Sequence, residues 1–158
     1  MTESTAAPIT HALRVSRRIR ATPERLFRLW TDPAQLRHWW RMDGPGWAFA
    51  GAEIDLRVGG AYRLSMTGPD GQVHVAVGVY REVARPTRLA FTWDWENPAM
   101  RVGDTLVTVD LLDAGDGTTD VAITHARFAS AERAASHERG WTQLLRLIDR
   151  SATEPAHE

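Results

Sequence analysis

Apolar and polar positions change their spacing along the chain, and the changes mark out successive elements. Residues 1–11 are small and polar, show no periodicity, and are expected to be flexible. Leu13, Val15, Arg17 and Ile19 then fall at every second position, which predicts a first strand. Thr22-Pro23-Glu24 follows, with a threonine able to cap, a proline at the first helical position and an acid in the first turn. Leu26, Leu29 and Trp30 give that helix one apolar face. Asp32-Pro33 repeats the device at once, and Leu36, Trp39 and Trp40 form the second stripe. Two short helices in tandem are predicted, with boundaries fixed by Pro23 and Pro33.

The segment 44–51, GPGWAFAG, reads as an irregular loop. Its Trp47 and Phe49 are unusual for a loop, and they imply that the segment folds over something. A meander of antiparallel strands follows. Gly59-Gly60 marks a hairpin, Tyr62, Leu64 and Met66 alternate with polar neighbours, and Pro69-Asp70-Gly71 turns the chain. Further strands are predicted at 73–83, 89–95, 105–112 and 119–125, with Arg85-Pro86-Thr87 and residues 113–117 as turns. Counting the first strand, the pattern gives about seven strands, spaced for hairpins rather than crossovers.

The end of the chain is helical, with Ser130 as cap, Glu132 at the positive end of the dipole, and His137, Trp141, Leu144 and Ile148 on one stripe. Gly140 inside this helix costs ~1 kcal/mol against alanine, and close packing against a strand is the expected reason. The tail 152–158 is polar and expected to fray. The outcome is one α+β domain over residues 12–151: a long C-terminal helix closed over a curved antiparallel sheet, with an aromatic-lined pocket between them.

Composition narrows the chemistry. With 19 basic and 20 acidic residues the net charge is -1, which gives no basic excess for a nucleic-acid partner or an acidic membrane. Arg14, Arg17, Arg18 and Arg20 form the one basic cluster, and alternation would scatter them over both strand faces. The absence of cysteine excludes disulfides and thiolate sites. All the basic residues are arginine, so Schiff-base chemistry is excluded too. No apolar run approaches the ~20 residues of a bilayer span, and the N-terminus lacks a signal peptide's apolar core; a cytoplasmic location is expected. Gly44-Pro45-Gly46 lacks the lysine of a phosphate loop, and no histidine spacing suggests a metal. No metal or cofactor is expected.

From about Arg14 to Ile148 the chain resembles the START-like (SRPBCC) superfamily, and within it the branch of activator-of-heat-shock-protein-ATPase homologues. The resemblance is carried by ATPERLFRLWTD, DPAQLRHWW, VGGAYRL, GVYREV, RPTRLAFTWDW, ITHARF and HERGWTQLLRLI, in that order and spacing. It implies a helix-grip fold, in which a seven-stranded sheet grips the C-terminal helix and two short helices support one end. It also implies a cavity for an apolar or amphipathic small molecule. The eukaryotic activator carries an additional N-terminal chaperone-binding domain; this chain has no room for one, which argues against co-chaperone activity.

Candidate pocket residues are Trp40, Tyr62, Met66, Phe91, Trp93, Trp95, His125, Phe128, His137 and Trp141. Buried aromatics remove ~150–250 Å² each from water, so these rings could equally fill the grip as line it. The polar Tyr62, His125 and His137 among them favour a ligand site. No acid sits at an offset that would orient either histidine for catalysis; Asp94 is expected to point away into solvent and His38 to lie exposed. The leading expectation is non-enzymatic binding of a hydrophobic small molecule. The alternatives are a polyketide cyclase or dehydratase moving a proton with Tyr62, His125 or His137, or a chaperone-interacting stress protein or homodimer with a filled core.

Overall fold

The computed structural model describes residues 10–154; residues 1–9 and 155–158, which hold most of the expected flexible ends, lie outside the described residues. Its strands are β1 (His11–Ile19), β2 (Ala48–Ile54), β3 (Ala61–Thr67), β4 (Val73–Ala84), β5 (Arg88–Trp95), β6 (Thr105–Gly115) and β7 (Thr118–Phe128). They form one antiparallel sheet in the order β1-β7-β6-β5-β4-β3-β2. β2 to β7 is therefore an unbroken meander, and β1 joins its far edge beside β7. Helices α1 (Pro23–Thr31) and α2 (Pro33–Leu36) carry the chain between the two edges. Helix α3 (Ala131–Thr153) packs along β1 and β7. This is the α+β helix-grip architecture that the sequence implies.

The helix starts form as their residues dictate. Thr22 Oγ1 accepts the Arg25 N–H at 3.2 Å, with Pro23 at the first position. Asp32 serves both helices: its N–H donates to the Arg28 carbonyl, closing α1, and its carboxylate accepts from the Ala34 N–H at 3.0 Å, opening α2. α2 itself is a single turn. Trp39 and Trp40 follow it and are buried, and the Trp39 indole donates to the Leu29 carbonyl at 2.7 Å, locking the pair of helices together. Ser130 caps α3 through the Arg133 N–H. At its other end the Arg25 guanidinium donates to the carbonyls of Ala152 and Ser151, at 2.9 and 3.1 Å, where helix carbonyls have no partner of their own.

Two features depart from simple alternation. The loop expected over 44–51 ends at Trp47, and β2 begins at Ala48. Its alanines and glycine give no β-branched signal, and a bulge between Phe49 and Gly51 breaks the period. At the end of β7, Arg127 adopts φ 74° and the pairing with β1 slips by one residue. That slip turns both His125 and Phe128 into the core, with ring centroids 4.3 Å apart, although they stand at an odd offset of three positions.

The inner face is regular elsewhere. Leu89, Phe91 and Trp93 on β5, Val107, Val109 and Leu111 on β6, and Thr119, Val121 and Ile123 on β7 are all buried. Ile148, Leu144, Leu145 and Leu147 of α3 cover them. Arg17 on β1 pairs with Asp149 of α3 at 2.5 Å, while Arg18 pairs with Asp120 of β7. The arginine cluster is thus distributed over both faces, as alternation requires.

β4 and β5 approach unusually closely at Gly78. A Cβ there would sit 1.9 Å from the Thr92 carbonyl oxygen and 2.7 Å from the Tyr62 ring. Glycine lets the Tyr62 hydroxyl donate to that same carbonyl at 2.5 Å. Gly78→Ala is expected to lower stability by about 1–3 kcal/mol, the cost of overpacking a tight core, as read by urea unfolding. A variant as stable as the parent would mean that the two strands have room to separate.

Candidate functional site

One stripe of α3 faces open space. Arg133, Ser136, His137, Gly140, Trp141 and Leu144 follow at helical intervals, and with residues from the sheet and loops they line a cavity of about 220 Å³. Opposite them stand Met66 of β3, His74 of β4, and Trp93 and Trp95 of β5; Trp40, Met42, Trp47 and Met100 come from connections. Gly140 has nothing within 4 Å of where its Cβ would lie. The expected close packing of Gly140 on a strand is thereby overturned: the missing side chain leaves cavity.

Loops bring two of the walls into place. Asp94 is half-buried rather than solvated, and its Oδ1 accepts the N–H groups of Trp95 and Val102, each at 2.8 Å. This folds the segment after β5 back on itself. A 3₁₀ turn, Pro98–Met100, capped by Asn97, then presents Met100. Met100 Sδ lies 3.4 Å from His74 Nδ1, and Trp47 lies against His74 with ring centroids 5.4 Å apart. Trp47 does fold over something, as its place in a glycine-rich loop implied.

Behind this cavity the grip is filled. Trp30, Tyr62, Tyr80 and Phe91 enclose a void of only about 10 Å³ together with Trp40, Trp93 and Trp141, at the threshold for a single water. Trp93 meets Trp141 at 5.0 Å, Trp40 at 5.7 Å and Trp95 at 5.4 Å between ring centroids. These indoles partition the interior.

A directional hydrogen-bond chain holds the partition. The Trp141 indole donates to His125 Nδ1 at 3.0 Å, so the imidazole proton is on Nε2. Nε2 donates to Thr105 Oγ1 at 2.8 Å, and Thr105 donates in turn to the Trp93 carbonyl. His137 is arranged alike: its Nε2 accepts from the Trp95 indole at 2.9 Å and its Nδ1 donates to the Arg133 carbonyl at 2.8 Å. Burial pushes the His125 pKa down to about 2, with His137 nearby adding to the shift. Burial also lowers the pKa of His137. Tyr62 is held protonated, its pKa raised well above the usual value, first by burial.

The sequence profile of the activator of Hsp90 ATPase homolog 1-like proteins matches residues 20–152. The chain belongs to this family. No protein of curated function matches the sequence. Among solved structures, a Chromobacterium violaceum protein is 26% identical over 91% of this chain and 98% of its own, with a TM-score of 0.78. The activator-homolog protein of Silicibacter pomeroyi is 27% identical over 89% and 96%, at 0.75. A Rhodobacter sphaeroides protein is 27% identical over 91% and 95%, at 0.74.

In this member of the activator-homolog family, the residues singled out from the sequence divide into three groups. Trp40, Met66, Trp93, Trp95, His137 and Trp141 line the open cavity. Tyr62 and Phe91 face the small inner void. His125 and Phe128 line neither; both are buried behind Trp141. Met42, His74, Met100, Arg133 and Ser136 line the cavity without having been singled out. Met42, His74 and Met100 sit in connections or near the ends of elements, where no period marks an inward direction; Arg133 and Ser136, on the α3 stripe that includes Gly140, were within reach. His38 is exposed, as expected. Among the described residues no three His, Asp or Glu side chains cluster as a metal site would need, and no helix is long and apolar enough to cross a membrane.

The neutral imidazoles make stability depend on pH. An unfolded histidine takes its proton near pH 6.5, whereas His125 does so at about 2. Below about pH 6.5 the unfolded chain therefore binds more protons than the native one, and stability falls as pH falls. The unfolding free energy is expected to be level above about pH 7. Between about pH 6.5 and 5, above the carboxylate range, it should drop by roughly 1 kcal/mol per pH unit on account of His125. Denaturant unfolding across that range checks this, and His125→Gln should remove most of the slope.

Proposed function

We propose that the domain binds an apolar or amphipathic small molecule in the cavity between α3 and the sheet, without transforming it. The observation that carries this reading is the open space at Gly140. A glycine in a helix interior costs ~1 kcal/mol against alanine, and here that cost leaves an aromatic-lined cavity empty of protein. A 150 Å³ apolar cavity accepts a benzene-sized guest, so about 220 Å³ suits something moderately larger. The indole N–H groups of Trp40 and Trp93, both wall residues, have no acceptor within the protein. Both nitrogens are shielded from the cavity surface, so these two walls offer a ligand apolar ring contact.

Binding is favoured over a cyclase-type reaction through Tyr62, His125 or His137 by the use already made of those three groups. Tyr62 donates to Thr92, His125 is bonded at both nitrogens, and His137 likewise. A general base needs a free lone pair within reach of the substrate proton.

Gly140→Leu gives a sharp test, because the new side chain enters the cavity on a helix that gains propensity. The variant is expected to fold at least as stably as the parent. Aromatic compounds that raise the parent's melting temperature should bind it at least tenfold more weakly. Thermal shift against a panel of apolar and amphipathic compounds reads both. If no compound shifts the parent, or if Gly140→Leu responds equally, the cavity is not the binding site.

A further inference from the structure

The cavity's charge and size narrow the ligand class; this inference rests on the binding reading above. Arg133 is the one arginine on the wall, which also holds the imidazoles of His74 and His137, and no carboxylate lines it. Its guanidinium stands at the mouth, where Nη2 reaches the Ala99 carbonyl at a long 3.4 Å, beside cavity-lining Met100. Among the described residues it forms no ion pair, whereas Arg17, Arg18, Arg57, Arg63, Arg85, Arg88 and Arg127 each have an acid. Ser136 lies three residues on, on the same face of α3, and adds a hydroxyl. Deeper in, the wall is indole, thioether and imidazole, with no arginine or carboxylate.

This geometry points to a planar aromatic monoanion of about two fused rings, its carboxylate on Arg133 and Ser136 and its rings among Trp93, Trp95 and Trp141. A planar guanidinium matches a carboxylate's two oxygens in a way that a single ammonium would not. Aromatic walls favour ring faces and edges over a flexible chain. A cationic guest would gain from the indoles but must pass Arg133, and no acid on the wall compensates it.

The test uses the full chain and four probes: 2-naphthoate, neutral 2-naphthamide, 2-naphthylmethylammonium and octanoate, with Kd from calorimetry. The expected order is naphthoate tightest, about three- to tenfold below the amide, with the ammonium and octanoate weaker still. In Arg133→Gln, an exposed substitution that removes the charge and keeps a polar, helix-favouring side chain, the naphthoate-to-amide ratio should fall to about one. If the amide binds and naphthoate gains nothing over it, the anion inference is overturned while the cavity reading stands. An unchanged ratio in Arg133→Gln overturns the role of Arg133, and octanoate binding more tightly than naphthoate overturns the aromatic class. If none of the naphthyl probes binds, the cavity reading itself falls.

Discussion

Four elements meet in one chain of hydrogen bonds, from the Trp141 indole through His125 and Thr105 to the Trp93 carbonyl. Each member can donate in only one direction once Trp141 has donated to Nδ1, so the tautomer of a fully buried histidine is fixed by a tryptophan on the opposite layer. Such networks are worth more in a dry interior than in water, and are costly when half-made. Protonating His125 would set two donors against each other. The chain therefore ties the position of α3 over the sheet to the neutrality of one imidazole. The chain fixes the Trp141 indole at one end and the Trp93 backbone at the other, and from these two residues the cavity takes part of its wall.

Those walls answer a question that composition leaves open. Seven tryptophans in a small domain could fill a core or line a pocket. Trp40, Trp93 and Trp141 do both, because each borders the open cavity as well as the nearly closed void toward Phe91. Toward Tyr62, Tyr80 and Phe91 the rings interlock; Tyr62 and Phe91 stand 5.3 Å apart in a T-shape. Toward the first half of α3 the opposing residues are Ser136 and Gly140, too small to close the gap. The cavity exists where a large face meets a small one, and its location is set by α3.

What could be read from the sequence follows from how local each cause is. Thr22-Pro23, Asp32-Pro33 and Ser130 act within one turn, so the helix starts were legible. The alternation of β5, β6 and β7 is equally local, and family resemblance supplied the helix-grip order that closes them. β2 was hidden by its own alanines and by the bulge at Gly51. The inward turn of Phe128 beside His125 depends on the left-handed Arg127, which no side-chain pattern announces. His125 and Thr105 are twenty residues apart and meet because Val107 is registered against His125; no sequence offset encodes that. Gly140 was visible, but its environment was not. A glycine facing a strand and a glycine facing a void look the same until the neighbouring layer is placed.

The family holds its fold across chains of about a quarter identity, and a fold of this kind hosts many functions. Function in this chain therefore depends on which polar groups the fold consumes and which it leaves. Tyr62, His125 and His137 are used to fasten strand to strand and helix to sheet. On the same helix as His137, Arg133 one turn earlier and the adjacent Ser136 are left facing the cavity. The first three groups hold the walls in register, and the Arg133 guanidinium, the Ser136 hydroxyl and the His74 imidazole are left on the cavity wall, which is the arrangement that the proposed binding role draws on.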